Sequence, residues 1–193
     1  NACVRFQTPE EFFHGEPEPR ESATGIDLHA VVLAGALAAP VSFPTHAELV
    51  VLVGAPGSGK STWCATHVPA SYVVVSQDVL GTRSRCLTAM RRALADGRSV
   101  VVDNTNRSVA VRQAYVDAAR VAGVPARCVH MATSPELAKH LNALRVDHPH
   151  AAKAVVPPVA MRMFASAFEP PTVGEGFGRV IDVPFHYDPA ACP

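Results

Sequence analysis

The sequence predicts an α/β fold, a sandwich of helices around a five-stranded parallel sheet. Three observations carry this. Apolar, β-branched runs alternate with helical periods from Leu49 to Val183, the pattern that implies parallel pairing. A glycine-rich turn joins the first run to the first helix. Hydrophobic residues make up 48% of 193 residues, enough for a buried core in one domain of ordinary size.

The elements follow in order. Leu49-Val50-Val51-Leu52-Val53 reads as a buried strand ending in glycines, with a helix from about Lys60 to His67. Tyr72-Val73-Val74-Val75 is a second short apolar run. Leu80, Leu87, Met90 and Leu94 recur at helical spacing, which predicts one amphipathic helix stopping near Asp96-Gly97. Val100–Val102 is a third strand, and a helix from about Ser108 to Ala122 ends at Gly123. Cys128–Met131 is a fourth strand; Ser134-Pro135-Glu136 then caps and starts a helix. A last helix is expected over Met161–Phe168 and a fifth strand over Val180–Val183.

Residues 1–46 differ in character and are expected to be the tail of a preceding domain plus a linker, leaving 47–193 as the α/β domain. Pro9, Pro17, Pro19, Pro40 and Pro44 interrupt them. Thr8-Pro9-Glu10-Glu11-Phe12-Phe13 can start a short helix, and the polar His14–Thr24 stretch has linker composition. With Asn1 in place of a methionine, the chain is expected to be a piece of a longer protein. The apolar stretch Ala30–Val41 is too short to cross a bilayer, which takes about 20 residues, so no membrane association is expected.

Lys and Arg total 17, as do Asp and Glu. Zero net charge excludes a partner held by bulk charge alone. The charge is unevenly placed, however. Residues 1–46 hold two basic and six acidic groups, so the remainder carries the balancing surplus. The interval 77–120 accounts for that whole surplus, with Arg83, Arg85, Arg91, Arg92, Arg98, Arg107, Arg112 and Arg120 against four aspartates. The five cysteines are odd in number and widely spaced, without a CxxC. No zinc or disulfide framework is expected, and a reducing compartment is.

The chemistry concentrates after the first strand. Gly54-Ala55-Pro56-Gly57-Ser58-Gly59-Lys60-Ser61-Thr62 matches GxxxxGK[ST] between a strand and a helix, the context a phosphate-binding loop needs. Glycines let successive N–H groups point at phosphate oxygens, and the helix N-terminus adds partial positive charge. Lys60 can then reach the β- and γ-phosphates of ATP, and the Ser61 hydroxyl can bind Mg²⁺. Asp78, past the second strand, is either a general base for an alcohol acceptor or the N-cap of the next helix. Asp103, past the third strand, either meets Mg²⁺ through water or anchors Asp78 or Thr62; otherwise it forms an Asx-turn within Asp103-Asn104-Thr105-Asn106. Arg83, Arg85 and Arg107 are candidates for substrate phosphates, whereas Arg91, Arg92 and Arg98 read as a solvated helix face. Arg145 precedes the Pro-interrupted segment His148–Pro157. It is either a lid arginine neutralising the transferring phosphoryl group or half of a surface salt bridge. Trp63 reads as core.

In this combination the chain resembles the kinase domain of the bifunctional polynucleotide 5′-kinase/3′-phosphatases, enzymes of DNA-end repair. The likeness rests on Gly54–Thr62, Val75–Gly81, Arg85-Cys86, Asp103–Asn106, Ala122–Pro125, Asn142 with Arg145, and Phe168–Thr172 with Glu175-Gly176-Phe177. Thr8–Phe13 is similar to the end of the family's phosphatase domain. The resemblance implies a P-loop kinase-like three-layer sandwich of sheet order 2-3-1-4-5, with a lid over the nucleotide. It also implies ATP-dependent phosphorylation of 5′-hydroxyl ends of DNA, with RNA as an alternative. Asp78 is then the base, Arg145 the lid clamp on ATP, and Arg85 a cleft cation. It further implies a nuclear setting, and repair scaffolds reached only through domains absent from this chain. Ser76-Gln77 departs from the family's Asn-Arg, Arg83 stands where an aromatic is common, and Ala165-Ser166-Ala167 replaces a more basic stretch. The phosphatase signature DxDxT does not occur. Two rival functions remain on the residues alone: a P-loop kinase of a small alcohol such as a nucleoside or sugar acid, and a nucleotide-driven switch ATPase.

Overall fold

The structure is a computed structural model and describes residues 40–143 and 155–185. The Thr8–Phe13 helix, the His14–Thr24 linker, Arg145 and most of the expected lid lie outside the described residues.

Five parallel strands form one sheet in the order β2-β3-β1-β4-β5. They are β1 (Leu49–Val53), β2 (Val73–Val75), β3 (Val100–Val102), β4 (Ala126–Met131) and β5 (Arg179–Val183). The order is the one the resemblance implied. Leu49 pairs with Val100 on one side and with Ala126 on the other, so β1 is central. Every residue of β1 is fully buried, as expected of a strand covered on both faces.

The two faces follow from the two-residue period of a strand. Leu49, Val51 and Val53 point to one side and pack with Cys86, Met90 and Leu94 of helix α3 (Arg83–Ala95) and Tyr115, Val116 and Ala119 of α4 (Val109–Val121). Val50 and Leu52 point to the other side, against Trp63 and Cys64 of α1 (Lys60–His67). Each such Val or Leu contributes roughly 1.5–3 kcal/mol when fully buried. Trp63 is core, as read from the sequence. Val41 and Phe43 pack on this second face, where Phe43 meets Tyr72 edge-on at 5.4 Å and lies under the Arg127 guanidinium.

The helix expected from Leu80 through Leu94 is two helices. The four-residue α2 (Gln77–Leu80) ends at Gly81, whose φ of +80 turns the chain out of the helix. Thr82 then caps α3 by accepting from the Arg85 N–H. The apolar spacing survives across the break because Leu80 still packs on the same core. Helix α5 (Pro135–Ala143) starts as its N-cap serine predicted, with Ser134 Oγ accepting from the Leu137 N–H at 3.1 Å. Helix α6 spans Pro158–Ser166 and not Met161–Phe168, because Pro158 suits the first helical position. Among the described residues no helix is long and apolar enough to cross a membrane.

Candidate active site

The loop after β1 curls as its glycines permit. At Gly57, φ is +84, and a Cβ would stand 2.7 Å from the Ala138 carbonyl oxygen; neither is open to another residue. Gly59, at φ +88, is the N-cap of α1. The loop is fixed from both sides. Gly54 N–H donates to Thr105 O at 3.2 Å, and the Thr133 hydroxyl donates to Ser58 O at 3.1 Å. Lys60 is buried, and its ammonium donates to Gly54 O at 2.8 Å, Ala55 O at 2.6 Å and Ser58 Oγ at 3.3 Å. Main-chain carbonyls thus hold the cation at the centre of the loop.

A cleft of about 750 Å³ opens above it. Pro56, Gly57, Gly59, Lys60, Ser61 and Thr62 of the loop line it together with Asp78, Asp103 and Asn104. Gly54, Ala55 and Ser58 of the same loop are buried and are not among the residues lining the cleft. The cleft therefore brings Lys60, Ser61, Asp78 and Asp103 together, as their positions at strand ends predict.

The side facing the loop is built differently. Asp78 is exposed in the first turn of α2, and its N–H donates to Ser76 Oγ at 3.2 Å. Ser76 is thus the cap, which removes helix capping as the reason for a carboxylate at position 78. From the loop after β3, Asn104 Oδ1 accepts from the Gln77 N–H at 2.8 Å. Asp103 is buried at the end of β3, and its N–H donates to Val75 O. Within Asp103–Asn106 the chain bends at Asn104, and one side chain ties strands together: Asn106 Nδ2 donates to Leu52 O at 2.7 Å.

The arginines diverge. Arg83 donates to the carbonyls of Ala110 and Val111 at 3.1 and 3.0 Å, so its guanidinium is turned to α4. Arg107 donates to Met163 O at 3.2 Å, and Arg85 is exposed on the first turn of α3. None of the three is among the side chains lining the cleft. Arg91, Arg92 and Arg98 are exposed, as expected. Arg112, counted from sequence with the basic surplus, is a correction: it is fully buried and pairs with Glu175 through two contacts of 2.6 and 2.8 Å. It also donates to Asn106 O and Glu169 O. Its charge is spent inside the fold, joining the Asp103–Asn106 loop to the segment before β5.

Sequence reasoning gave no role to three contributors: Asn104, Thr133 and the pair Asn142–Val156. Asn142 Nδ2 donates to Val156 O at 2.9 Å and its Oδ1 accepts from the Val156 N–H at 2.8 Å. It thereby clasps the chain beside the cleft that Val156 lines. Only the polar type at an otherwise apolar helix position signals such a role.

The donor set fits a magnesium ion held mainly by substrate. The Ser61 hydroxyl and Asp103 carboxylate offer hard oxygen atoms to one cleft. No group of three or more His, Cys, Asp or Glu able to hold a metal exists among the described residues. Such sparse protein ligation suits an ion bound through one or two side chains plus phosphates. Burial pushes the Cys64 thiol, on α1 beneath the loop, up to about 11, with the Asp103 charge adding to it. That cysteine is inert packing, not a nucleophile.

Residues 49–171 match a family model described as an AAA domain. The chain is 39% identical over 96% of its length to a bifunctional polynucleotide phosphatase/kinase of Schizosaccharomyces pombe, covering 46% of that protein. A relative from Acanthamoeba polyphaga mimivirus, carrying the same name in provisional form, is 32% identical over 97% of the chain and 47% of its own length. The chain spans about half the length of these relatives. Among solved structures, Chaetomium thermophilum Kti12 in complex with ADP-AlF3 shares the fold, with a TM-score of 0.59 at 17% identity over 74% of this chain and 92% of that one.

Proposed function

The chain belongs to the AAA-domain family, and from that premise we propose that it transfers the γ-phosphoryl group of ATP to the 5′-hydroxyl end of a polynucleotide, DNA in the first instance. The observation that carries this reading is Asp78 lining the same cleft as Lys60 and Ser61, with its helix capped by another residue. The likeness to polynucleotide phosphatase/kinases over nearly the whole chain supports the choice of acceptor.

In this reading the hydroxyl oxygen bonds to the γ-phosphorus as the bond to the bridging oxygen of ADP breaks. Asp78 orients the hydroxyl and takes its proton. Lys60 offsets charge on the β- and γ-phosphates, and the loop N–H groups and the start of α1 hold the remaining oxygens. Ser61, with Asp103 through water, would hold Mg²⁺, which neutralises phosphate charge when bound. Arg145 is proposed as the lid cation. Arg85 is the exposed arginine nearest α2 in sequence and is proposed to meet acceptor phosphates. Arg83 and Arg107 would have to give up main-chain bonds to do so. A nuclear setting and a role in strand-break repair belong to the same proposal.

The test is transfer from labelled ATP. A 5′-hydroxyl oligonucleotide should be labelled, and a nucleoside or sugar acid should not. Label appearing only in inorganic phosphate would favour the switch ATPase, and label on the small alcohol would favour the small-substrate kinase.

A further inference from the structure

A base on a four-residue helix poses a question of rigidity. Asp78 is exposed, and so are its neighbours Gln77 and Val79. A helix this short has almost no internal hydrogen bonding, and its first N–H groups need acceptors from elsewhere. Two are supplied. Ser76 takes the Asp78 N–H and comes from the same segment. Asn104 takes the Gln77 N–H at 2.8 Å and comes from the loop after β3, on the other side of Asp103. Of these two caps, the Asn104 contact is the one that ties the base's helix to the loop after β3.

The other end of the Asn104 side chain is also placed. Its amide nitrogen is buried without a hydrogen-bond partner, and so are the Tyr115 hydroxyl and Arg83 Nε. Burial pushes the Tyr115 hydroxyl and the Cys86 thiol up, and the facing Asn104 amide pulls both back. The amide therefore looks into a small polar cluster under α3 and α4, and its oxygen looks outward to α2. An asparagine has one donating and one accepting end; here the cluster selects which end faces the helix.

We propose that Asn104 is a positioning residue for phosphoryl transfer: through the Gln77 N–H it sets the register of α2 and so the place of the Asp78 carboxylate relative to the phosphate loop. This rests on the kinase reading given above. It adds a mechanical link between the strand-end aspartate at 103 and the base at 78, through one side chain that lines the cleft itself.

The test compares Asn104→Ala with Asn104→Asp. Alanine removes the acceptor; aspartate keeps an oxygen where Oδ1 stands. For Asn104→Ala, kcat on a 5′-hydroxyl oligonucleotide should fall about 10- to 100-fold, the scale of a misplaced reacting group. The KM for ATP should move less than about threefold, since the phosphate loop is untouched. Amide exchange at Gln77 should quicken by about tenfold or more as its acceptor is lost. Asn104→Asp should restore slow exchange and most of kcat. Three results would overturn the proposal: wild-type kcat in Asn104→Ala, unchanged Gln77 exchange in that variant, or an aspartate variant no better than alanine in exchange. The exchange arm needs no substrate. Should the wild-type chain fail to phosphorylate 5′-hydroxyl ends, the substrate reading falls while the exchange data still decide whether Asn104 holds α2.

Discussion

The two ends of the cleft are built on opposite principles. At the phosphate end the main chain does the work. Gly57 and Gly59 adopt conformations that other residues resist, and carbonyl oxygens of Gly54 and Ala55 hold the Lys60 ammonium. At the acceptor end side chains do the work. Asp78 rides on four helical residues fastened by one serine and one asparagine, and the arginines nearby are exposed or turned to other backbone. A backbone-built site is stiff and the same for any nucleoside triphosphate. A site built from side chains can be retuned one residue at a time, which would suit the part proposed to choose an acceptor.

Apart from replacing Asp78 itself, the largest effect expected from breaking this contrast is at the phosphate end. Lys60→Ala should lower kcat by about 10²–10³-fold, the usual cost of one charge-stabilising donor, and weaken ATP as well. Loss confined to acceptor binding would mean the loop does not carry the phosphate chemistry. Next comes the brace that both ends share. Glu175→Ala leaves the Arg112 cation buried and unpaired and should destabilise the fold by about 3–5 kcal/mol, read as a drop in Tm. Because Arg112 also donates to Asn106 O, that loss should not favour one end of the cleft. A Tm within a degree or two of wild type would remove the brace from the account. Smallest is Arg85→Ala, which should leave kcat at saturating acceptor unchanged and reduce the slope of log acceptor affinity against log salt by about 0.7–0.9 per lost phosphate contact. An unchanged slope would return Arg85 to the solvated surface.

The same contrast governs what the sequence reveals. The phosphate end is local: nine consecutive residues encode it, between a strand and a helix that periodicity finds. The strand order followed from the resemblance, and each strand from its own apolar run. The acceptor end is assembled from afar. Gln77 meets Asn104, and Arg112 meets Glu175; no local pattern pairs them. Arg112 was counted with seven other arginines in one basic surplus, and only packing shows that it is buried. The break at Gly81 was hidden because Leu80 and Leu87 keep helical spacing across it. The Asp78 question, base or cap, was open on sequence because Ser76 and Asp78 are both good caps; the hydrogen bond to Ser76 Oγ assigns the cap to the serine.

The central claim, that Asp78 acts on the acceptor hydroxyl, is tested most directly by turnover of Asp78→Asn on a 5′-hydroxyl oligonucleotide, measured beside ATP binding and Tm. Asparagine keeps the shape and some hydrogen bonding but cannot take the proton. The expected result is a fall in kcat of about 10²–10⁴-fold, the worth of a positioned general base, with ATP affinity and Tm little changed. Near-normal turnover of Asp78→Asn would contradict the account.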